Sequence, residues 1–362
     1  QAQTLGDATL GSARQAPMSE STRRQIGGAS AIWGGRCLPY DPIDFVNRSY
    51  IPHSRWPVAY EDIAPYFEKT SDYFRSGRPV FNLHQIKDSA PTSIVPDLPD
   101  GDILSSDLER WSLPTHFGRE YHKELSQNPR IRVLHSLTCT EIELDSNGTH
   151  VTGLRCKTSN SGRPLLVLGQ VYAVACGGVD TTRLLLASDG VQPEGIGGQS
   201  GHLGRFYMGH ISGRVARVRF STPPRKTVYG FDRDIDGTYL RRRFSFSAEF
   251  QKEKELTNVI GFLVNPDIAD PEHRNGVLSF AYLALASPAG RFFVADALRK
   301  AALKSDQAGS VRAHLRNILF DPLRTLSFIP SFGYKRFLAH RKVPGFFQYS
   351  HSNQYLLHYH GE

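Results

Sequence analysis

The sequence predicts an α/β fold that is α+β overall, and three observations lead to this prediction. Short β-type runs fill residues 131–176. The last run ends at a Gly-Gly pair, and a helical pattern follows it at once, which is typical of a strand–turn–helix unit. A second helical pattern lies at residues 60–74, after a turn. Strands and helices mixed along one chain in this way are typical of α/β and α+β proteins.

The individual strands are predicted from hydrophobic patterns. In TCTEIEL, residues 138–144, Ile142 and Leu144 alternate with acidic residues, as expected for a strand with one buried face. The turn signal Ser-Asn-Gly at 146–148 separates this run from the next one, VTGLRCKT. Residues 171–176, VYAVAC, are continuously apolar and are predicted to form a central strand buried on both faces.

The region before these strands divides into a helix and a long irregular segment. The helix begins near Tyr60, and its spacing predicts that Ile63, Tyr66 and Phe67 point inward. Residues 77–116 are rich in Pro, Asp and Ser and have little periodicity. We expect a long loop or a lid there.

The composition limits the classes of protein that the chain can represent. Its 362 residues are enough for two packed lobes, and 40% apolar with 22% charged residues is ordinary globular composition. No apolar run has the length of a membrane-spanning helix, and no signal peptide opens the sequence. The compartment stays undetermined, and a cytoplasmic one is favoured. The four cysteines form no CxxC pair, and we expect no metal site.

The net charge of +8 is concentrated in one segment. Residues 291–342 hold eleven Lys or Arg against three Asp, and this difference equals the whole net charge. One helical face within the segment carries the apolar residues Val311, Leu315, Ile318 and Leu319. Two surface helices with a solvated basic face explain the pattern, and a peripheral contact with anionic lipid or another polyanion is the alternative. No recognisable nucleic-acid-binding module accompanies the charge, so we expect no nucleic-acid partner.

Two glycine-rich elements are candidates for a binding site. Residues 26–37, IGGASAIWGGRC, would let the backbone pass close to a planar or phosphorylated ligand, with a hydroxyl at Ser30 and a flat ring at Trp33. At Gly177-Gly178 an apolar run ends, and a helix is predicted to begin shortly after, near Asp180 and Thr181. Helix N-termini bind anionic groups. Each element also has an explanation without a ligand. The first would be a tight loop packed on a core Trp, and the second a plain β–α turn.

Five ordered motifs resemble the glucose–methanol–choline (GMC) flavoprotein oxidoreductases, in particular their bacterial, pyranose-oxidase-like branch. The motifs are GGASAIWGG, DPIDF, WPVAYEDIAPYF, AVACGGVDTTRLLLAS and LGRFYMGH. The resemblance implies a Rossmann-type FAD-binding domain, partial here, interleaved with a sheet-and-helix substrate-binding domain. Residues 1–45 and 130–215 would form the FAD domain. Residues 46–129 and 216–362 would form the lid and the substrate-binding domain.

The resemblance also implies which residues contact the cofactor. By motif position these are Gly27, Gly28, Ser30, Trp33, Gly34, Gly177 and Gly178, together with Thr138 and Cys139 in the strand that would meet the adenine. In pyranose oxidases a His before the Trp attaches the flavin covalently. Ile32 stands at that position, so the resemblance implies non-covalent FAD.

Two features of the family are missing from the sequence. There is no G-x-G-x-x-G fingerprint. The C-terminal His pair of the catalytic segment does not map onto HYHGE, residues 358–362, where we interpret His358 and His360 as ordinary strand positions. The catalytic residues are therefore unknown. Since the first residue is Gln1, we expect the chain to be an incomplete fragment that is inactive alone.

The activity implied by the resemblance is oxidation of a CH–OH group of a sugar, polyol or other alcohol, with hydride transfer to flavin. Oxygen, a quinone or a cytochrome would then accept the electrons. Two other classes stay open. One is a non-catalytic binding or membrane-surface protein that uses residues 291–342, and the other is a different nucleotide-dependent enzyme that shares only the Gly-Gly turn.

Overall fold

The computed structural model is a mixed α and β structure with antiparallel sheets, comprising 34% helix and 22% strand. It describes residues 22–86, 94, 98–112, 115–221, 226, 230–292, 299, 303, 309–339 and 354–361. The mixture of helices and strands confirms the coarse prediction. A Rossmann-type FAD domain stays a prediction.

The elements are numbered in chain order. The strands are β1 Arg36–Cys37, β2 Ile103–Leu104, β3 Leu108–Trp111, β4 Leu137–Leu144, β5 Val151–Thr158, β6 Pro164–Val167, β7 Ile211–Arg219, β8 Phe231–Arg233, β9 Tyr239–Arg242, β10 Phe244–Phe246, β11 Val259–Val264 and β12 Gln354–Gly361. The α-helices are α1 Tyr60–Ile63, α2 Phe67–Phe74, α3 Phe117–Glu120, α4 His122–Gln127, α5 Gly178–Leu186, α6 Ala248–Glu253, α7 Gly276–Ala286, α8 Val311–Phe320 and α9 Pro322–Gly333.

The chain divides into two compact units, which are described separately. Unit 1 consists of Gln1–Trp33 and His116–Gly209, and unit 2 consists of Gly34–Thr115 and His210–Glu362. Two segments of the chain therefore contribute to each unit. The FAD-binding and substrate-binding roles assigned to the predicted domains stay predictions.

Unit 1 is built on the antiparallel sheet β4–β5–β6, against which α5 packs. Ser188, which follows α5, connects the two, because its hydroxyl accepts a hydrogen bond from the amide of Ile142 in β4 at 2.8 Å. The predicted turn between β4 and β5 is confirmed. Its last residue, Gly148, has a φ of +70°, in the region that favours glycine.

Two strand predictions in unit 1 are wrong. Residues 131–135 precede β4 without strand structure, and residues 171–176, VYAVAC, do not form the predicted central strand. A central strand needs a paired neighbour on each side, and none of the strands in the described part of the chain pairs with this segment. Val171 is 88% exposed. The continuous apolar pattern is therefore not matched by burial.

Unit 2 contains two antiparallel sheets, with strand orders β1-β3-β9-β8 and β2-β10-β11-β12-β7. One face of the four-stranded sheet packs Leu108 and Leu240 against Leu83. One face of the five-stranded sheet packs Leu263 and Tyr355 with other apolar residues. The opposite faces of both sheets carry charged and aromatic side chains, which form a candidate site.

The helices of unit 2 correct one prediction and show where a second one leads. Pro65 lies in a 3-10 turn, Ala64–Tyr66, that separates α1 from α2, because proline has no amide to continue the α-helical pattern. Tyr66 is therefore exposed instead of inward, whereas Ile63 and Phe67 are partly buried. The predicted apolar face of α8 is mostly exposed: Val311, Leu315 and Leu319 are exposed and Ile318 is partly buried.

The predicted loop or lid at 77–116 is wrong in part. The short strands β2 and β3 lie within it, and β3 is completely buried. Strands of two and four residues are too short to give a visible periodicity, which explains why the sequence pattern did not reveal them. Residues 87–93, 95–97 and 113–114 of this segment lie outside the described residues.

Candidate functional site

Gly27 and Gly28 of unit 1 differ in their surroundings. Gly27 has a φ of +91°, and a Cβ built on it would lie 2.3 Å from the amide nitrogen of Gly118 in α3. Gly28 has a φ of +51°, and a Cβ there would have no atom within 4 Å. Packing inside the unit therefore requires glycine at position 27. Gly28 instead presents open backbone.

Ser30 and Trp33 hold this glycine turn against α3. The Ser30 hydroxyl donates to the carbonyl of Gly27 at 2.5 Å and accepts from the amide of Phe117 at 3.0 Å. The Trp33 ring meets the Phe117 ring edge to face, with 5.7 Å between ring centroids. Each side chain thus has a structural role. Their assignment to FAD stays a prediction.

The second glycine element is an open start of α5. Gly177 has a φ of +83°, and a Cβ on Gly177 or Gly178 would have no atom within 4 Å. Asp180, in the first turn of α5, forms an ion pair with Arg183 at 2.8 Å and with Arg24 at 3.9 Å. Since Arg24 lies three residues before Gly27, both glycine elements belong to one region of unit 1.

The remaining predicted contacts lie in other places. Thr138 and Cys139 are in β4, where Cys139 is paired in register with Cys156 of β5. Burial and the neighbouring Cys156 thiol raise the pKa of Cys139 to about 11, so this thiol is protonated at neutral pH. Gly34 is the first residue of unit 2, and a Cβ on it would meet no atom within 4 Å.

Unit 2 holds a second candidate site, which we call the His–Arg cluster and define as Arg36, Glu109, Arg241, His358 and His360. Glu109 of β3 and Arg241 of β9 are paired in register, and their side chains form an ion pair at 2.6 Å. Arg36 of β1 lies 3.8 Å from the second carboxylate oxygen of Glu109. The Glu109 side chain is completely buried.

Aromatic rings connect the charged groups to the five-stranded sheet. The guanidinium carbon of Arg241 lies 3.9 Å from the ring centroid of Phe262 in β11 and 5.1 Å from that of Trp111 in β3. Contacts of this kind contribute about 0.5–2 kcal/mol. Phe262 is paired in register with His358, and their ring centroids are 5.0 Å apart. Side chains of both sheets therefore meet at one place.

The two imidazoles of the cluster lie on one face of β12, with ring centroids 5.1 Å apart. Arg36 Nη2 is 3.3 Å from Nδ1 of His360. Because a guanidinium can only donate, Nδ1 accepts, and a neutral His360 ring carries its proton on Nε2. Burial and the neighbouring Arg36 lower the pKa of His360 to about 4. Burial and neighbouring guanidinium groups also lower the pKa of His358.

This arrangement defines what the cluster can do chemically. Both imidazoles are neutral at neutral pH, so His358 can accept a proton while His360 donates a hydrogen bond from Nε2. The guanidinium groups supply positive charge beside them. His210, which precedes β7, has its ring centroid 6.0 Å from that of His360. Within the described ranges, no group of His, Cys, Asp and Glu is arranged to hold a metal ion.

Sequence reasoning found only part of this site. The alternation of His358 and His360 along one strand was visible, but both were interpreted as ordinary strand positions. Glu109 and Arg241 are 132 residues apart in the chain, and only the pairing of β3 with β9 brings them together. Arg36 lies near the end of the first glycine loop, IGGASAIWGGRC. No pattern indicated that it would reach an imidazole.

Comparisons of the chain with protein-family models, with curated proteins and with solved structures found no match. No helix among the residues that the structure describes is long and apolar enough to cross a bilayer.

Proposed function

We propose that the chain is part of an FAD-dependent oxidoreductase of the GMC type that oxidises a CH–OH group of a sugar, polyol or other alcohol. The observation that carries this proposal is the His–Arg cluster. Oxidation of an alcohol requires a group that accepts the hydroxyl proton, and a neutral imidazole suits this task at neutral pH. The ordered motifs that resemble the GMC family supply the cofactor and the reaction class.

Each residue of the cluster has a part in the proposed reaction. A ring nitrogen of His358 accepts the hydroxyl proton of the substrate, and His360 donates a hydrogen bond from Nε2 to the substrate oxygen. Arg36 keeps His360 in the tautomer that donates, through its contact with Nδ1. Glu109 positions Arg36 and Arg241, and it balances part of their charge. FAD, when bound, supplies the hydride acceptor.

The residues of unit 1 fit a bound dinucleotide in two respects. Backbone at Gly28, Gly177 and Gly178 is open where a side chain would otherwise stand. The first amide groups of α5 can donate to phosphate oxygens, as helix N-termini commonly do. Asp180 opposes an anion at this position, but its ion pairs with Arg24 and Arg183 offset that charge.

The test uses the product of the full open reading frame that encodes this chain. We expect the purified protein to show the two visible absorption bands of oxidised flavin. Acid or heat should release FAD intact, because Ile32 stands where a covalent His would be. A colourless protein that gains no flavin on addition of FAD would contradict the cofactor assignment. It would favour a non-catalytic protein or another nucleotide-dependent enzyme.

A second measurement tests the assigned proton acceptor. His358→Gln should lower kcat for alcohol oxidation by about 10²-fold or more, the usual contribution of a general base, while flavin content stays the same. His150→Gln is the matched control, because the His150 side chain is 83% exposed in unit 1. Equal rates for His358→Gln and the unaltered protein would refute the role of His358 without affecting the cofactor assignment.

A further inference from the structure

We propose that the helices α8 and α9 dock on an anionic lipid surface through an exposed apolar face. We call this feature the apolar hairpin and define it by the exposed residues Val311, Leu315, Leu319, Phe320, Leu323 and Leu326. Leu319, Phe320 and Leu323 are 77%, 83% and 84% exposed. Exposed apolar groups gathered in this way are typical of surfaces that bind a membrane or another protein.

The hairpin is exposed because polar residues hold its other face against α7. His314 Nδ1 lies 3.0 Å from the hydroxyl of Ser279, and the amide of Asn317 donates to the same hydroxyl at 3.1 Å. The ring of Tyr282 stacks on His314 with 4.2 Å between centroids. These contacts fix the rotation of α8. Its row of apolar residues, one on each turn, must therefore face away from α7.

Contacts with α7 also fix the rotation of the following helix, α9. Thr325 is buried in α9, and its hydroxyl donates to the carbonyl of Asp321 at 2.7 Å. A Cβ built on Gly276 of α7 would lie 2.3 Å from that hydroxyl, so α9 approaches α7 closely at this point. Leu323 and Leu326 stay outside as a result. Leu319, Phe320 and Leu323, which lie at the junction of the two helices, are the most exposed residues of the feature.

Charge complementarity identifies an anionic bilayer as the occupant. Arg312 and Arg316 are exposed on α8 beside the apolar row, and residues 291–342 carry the whole net charge of the chain. Each basic residue near an anionic bilayer contributes about 1 kcal/mol to binding. An amphipathic helix with basic and bulky apolar residues lies in the plane of the interface. Helices of ten and twelve residues suit this position.

A second copy of the chain fits the same surface less well. A two-fold contact through this face would bring two basic helical surfaces together, and like charges repel. The sequence that flanks the hairpin is itself basic, with Lys304 before it and Arg341 and Lys342 after it.

The test measures binding to vesicles made of phosphatidylcholine, with and without phosphatidylglycerol. We expect the protein to sediment with the anionic vesicles and to be released by high salt. Phe320→Ser combined with Leu323→Ser should lower the apparent partition coefficient by about tenfold or more, because two exposed apolar side chains no longer enter the interface. Arg312→Gln combined with Arg316→Gln should lower it by at least tenfold on anionic vesicles alone.

Matched controls separate this proposal from general effects. Ile235→Ser removes an apolar side chain that is 86% exposed elsewhere in unit 2, and Arg132→Gln removes an exposed charge from unit 1. Neither should change vesicle binding. Phe320→Trp should show a blue-shifted emission with anionic vesicles, and Ile235→Trp should not. Equal binding by the hairpin variants and the controls would overturn the proposal, as would a dimer that the hairpin variants dissociate.

Discussion

Gly27 and Gly28 are adjacent, yet the structure predicts that replacing them with alanine has different consequences. Gly27→Ala places a Cβ 2.3 Å from the amide nitrogen of Gly118 and 2.9 Å from its Cα. Both are backbone atoms, so no rotation of a side chain relieves the contact. Gly28→Ala places a Cβ where no atom lies within 4 Å. The two variants therefore share the same chemistry and differ in packing.

The magnitudes follow from backbone conformation and from overlap. A non-glycine residue with a positive φ costs about 1–2 kcal/mol, and both positions have a positive φ. Alanine also lowers the conformational entropy of the unfolded chain, and this stabilises the folded state by about 0.4–1 kcal/mol. Overpacking against Gly118 adds about 1–3 kcal/mol for Gly27→Ala only. We therefore expect a loss of about 2–4 kcal/mol for Gly27→Ala, and a loss of about 1 kcal/mol or less for Gly28→Ala.

Urea unfolding, monitored by circular dichroism, measures the loss of unfolding free energy in the two alanine variants. Hydrogen exchange in residues 22–33 shows whether the loss is local to the glycine turn. A larger substitution then tests the proposed cofactor contact. Gly28→Val should weaken FAD binding by the full-length product roughly ten- to a hundredfold, as a clash of about 1–3 kcal/mol requires. Gly148→Val, in a distant turn, is the control for strain alone. Similar stability losses for Gly27→Ala and Gly28→Ala would refute the packing argument, and unchanged FAD affinity in Gly28→Val would refute the contact.

Three further perturbations have outcomes that the structure predicts. Glu109→Gln removes the carboxylate that pairs with the buried Arg241, and urea unfolding should show a loss of about 3–5 kcal/mol; a loss under 1 kcal/mol would contradict the ion pair. Burial lowers the pKa of His273 to about 4, so only the unfolded state takes up this proton below about pH 6.5. Neutral His273 therefore costs no stability above about pH 6.5, and the free energy of unfolding falls by up to about 3 kcal/mol as the pH drops towards 4. In pH-dependent melting, His273→Gln should reduce this fall. Burial raises the pKa of Asp234, but hydrogen bonds from two guanidinium groups lower it to about 2. The contribution of ionised Asp234 to stability is present above about pH 4 and is lost as the pH falls to 2. Asp234→Asn should lower the melting temperature at pH 7 and reduce its fall in acid. An unchanged fall of the melting temperature in acid would count against this ion pair.

The sequence predicted local features of the fold better than its packing. The turn at 146–148 and the helix after the Gly-Gly pair follow from glycine and from apolar spacing, which act within a few residues. The helix was expected from near Asp180 and begins two residues earlier, at Gly178. The sheets depend on partners that are distant in the chain. Strand β3 is four residues long and lies between β1 and β9, and no local pattern identifies such partners. For the same reason, the apolar segment 171–176 was predicted as a central strand although no described strand pairs with it.

In the candidate sites, too, local features could be predicted from the sequence, whereas contacts between residues distant in the chain could not. Glycine positions were visible, but only coordinates distinguish Gly27, which packs on α3, from Gly28, which is open. The contact of Arg36 with His360 joins residues 324 positions apart. Spacing also placed Leu315 and Leu319 on one face of α8, but it did not show that buried polar residues would turn this face outward.

Unit 2 buries charged groups at one place, the Glu109–Arg241 ion pair, and exposes apolar groups at another, the apolar hairpin. Neither arrangement is explained by a gain in stability. Hydrophobic residues of similar volume usually stabilise a fold as well as a buried ion pair such as Glu109–Arg241. Burying Leu319 or Leu323 would stabilise the fold by about 1.5–3 kcal/mol each. The exposed hairpin lacks this stabilisation. Places where a protein breaks these rules are expected to be functional sites. On the two proposals made above, the charged cluster would serve chemistry and the hairpin would serve attachment. Since no residue belongs to both, variants of the hairpin should leave alcohol oxidation in solution unchanged, and variants of His358 should leave vesicle binding unchanged.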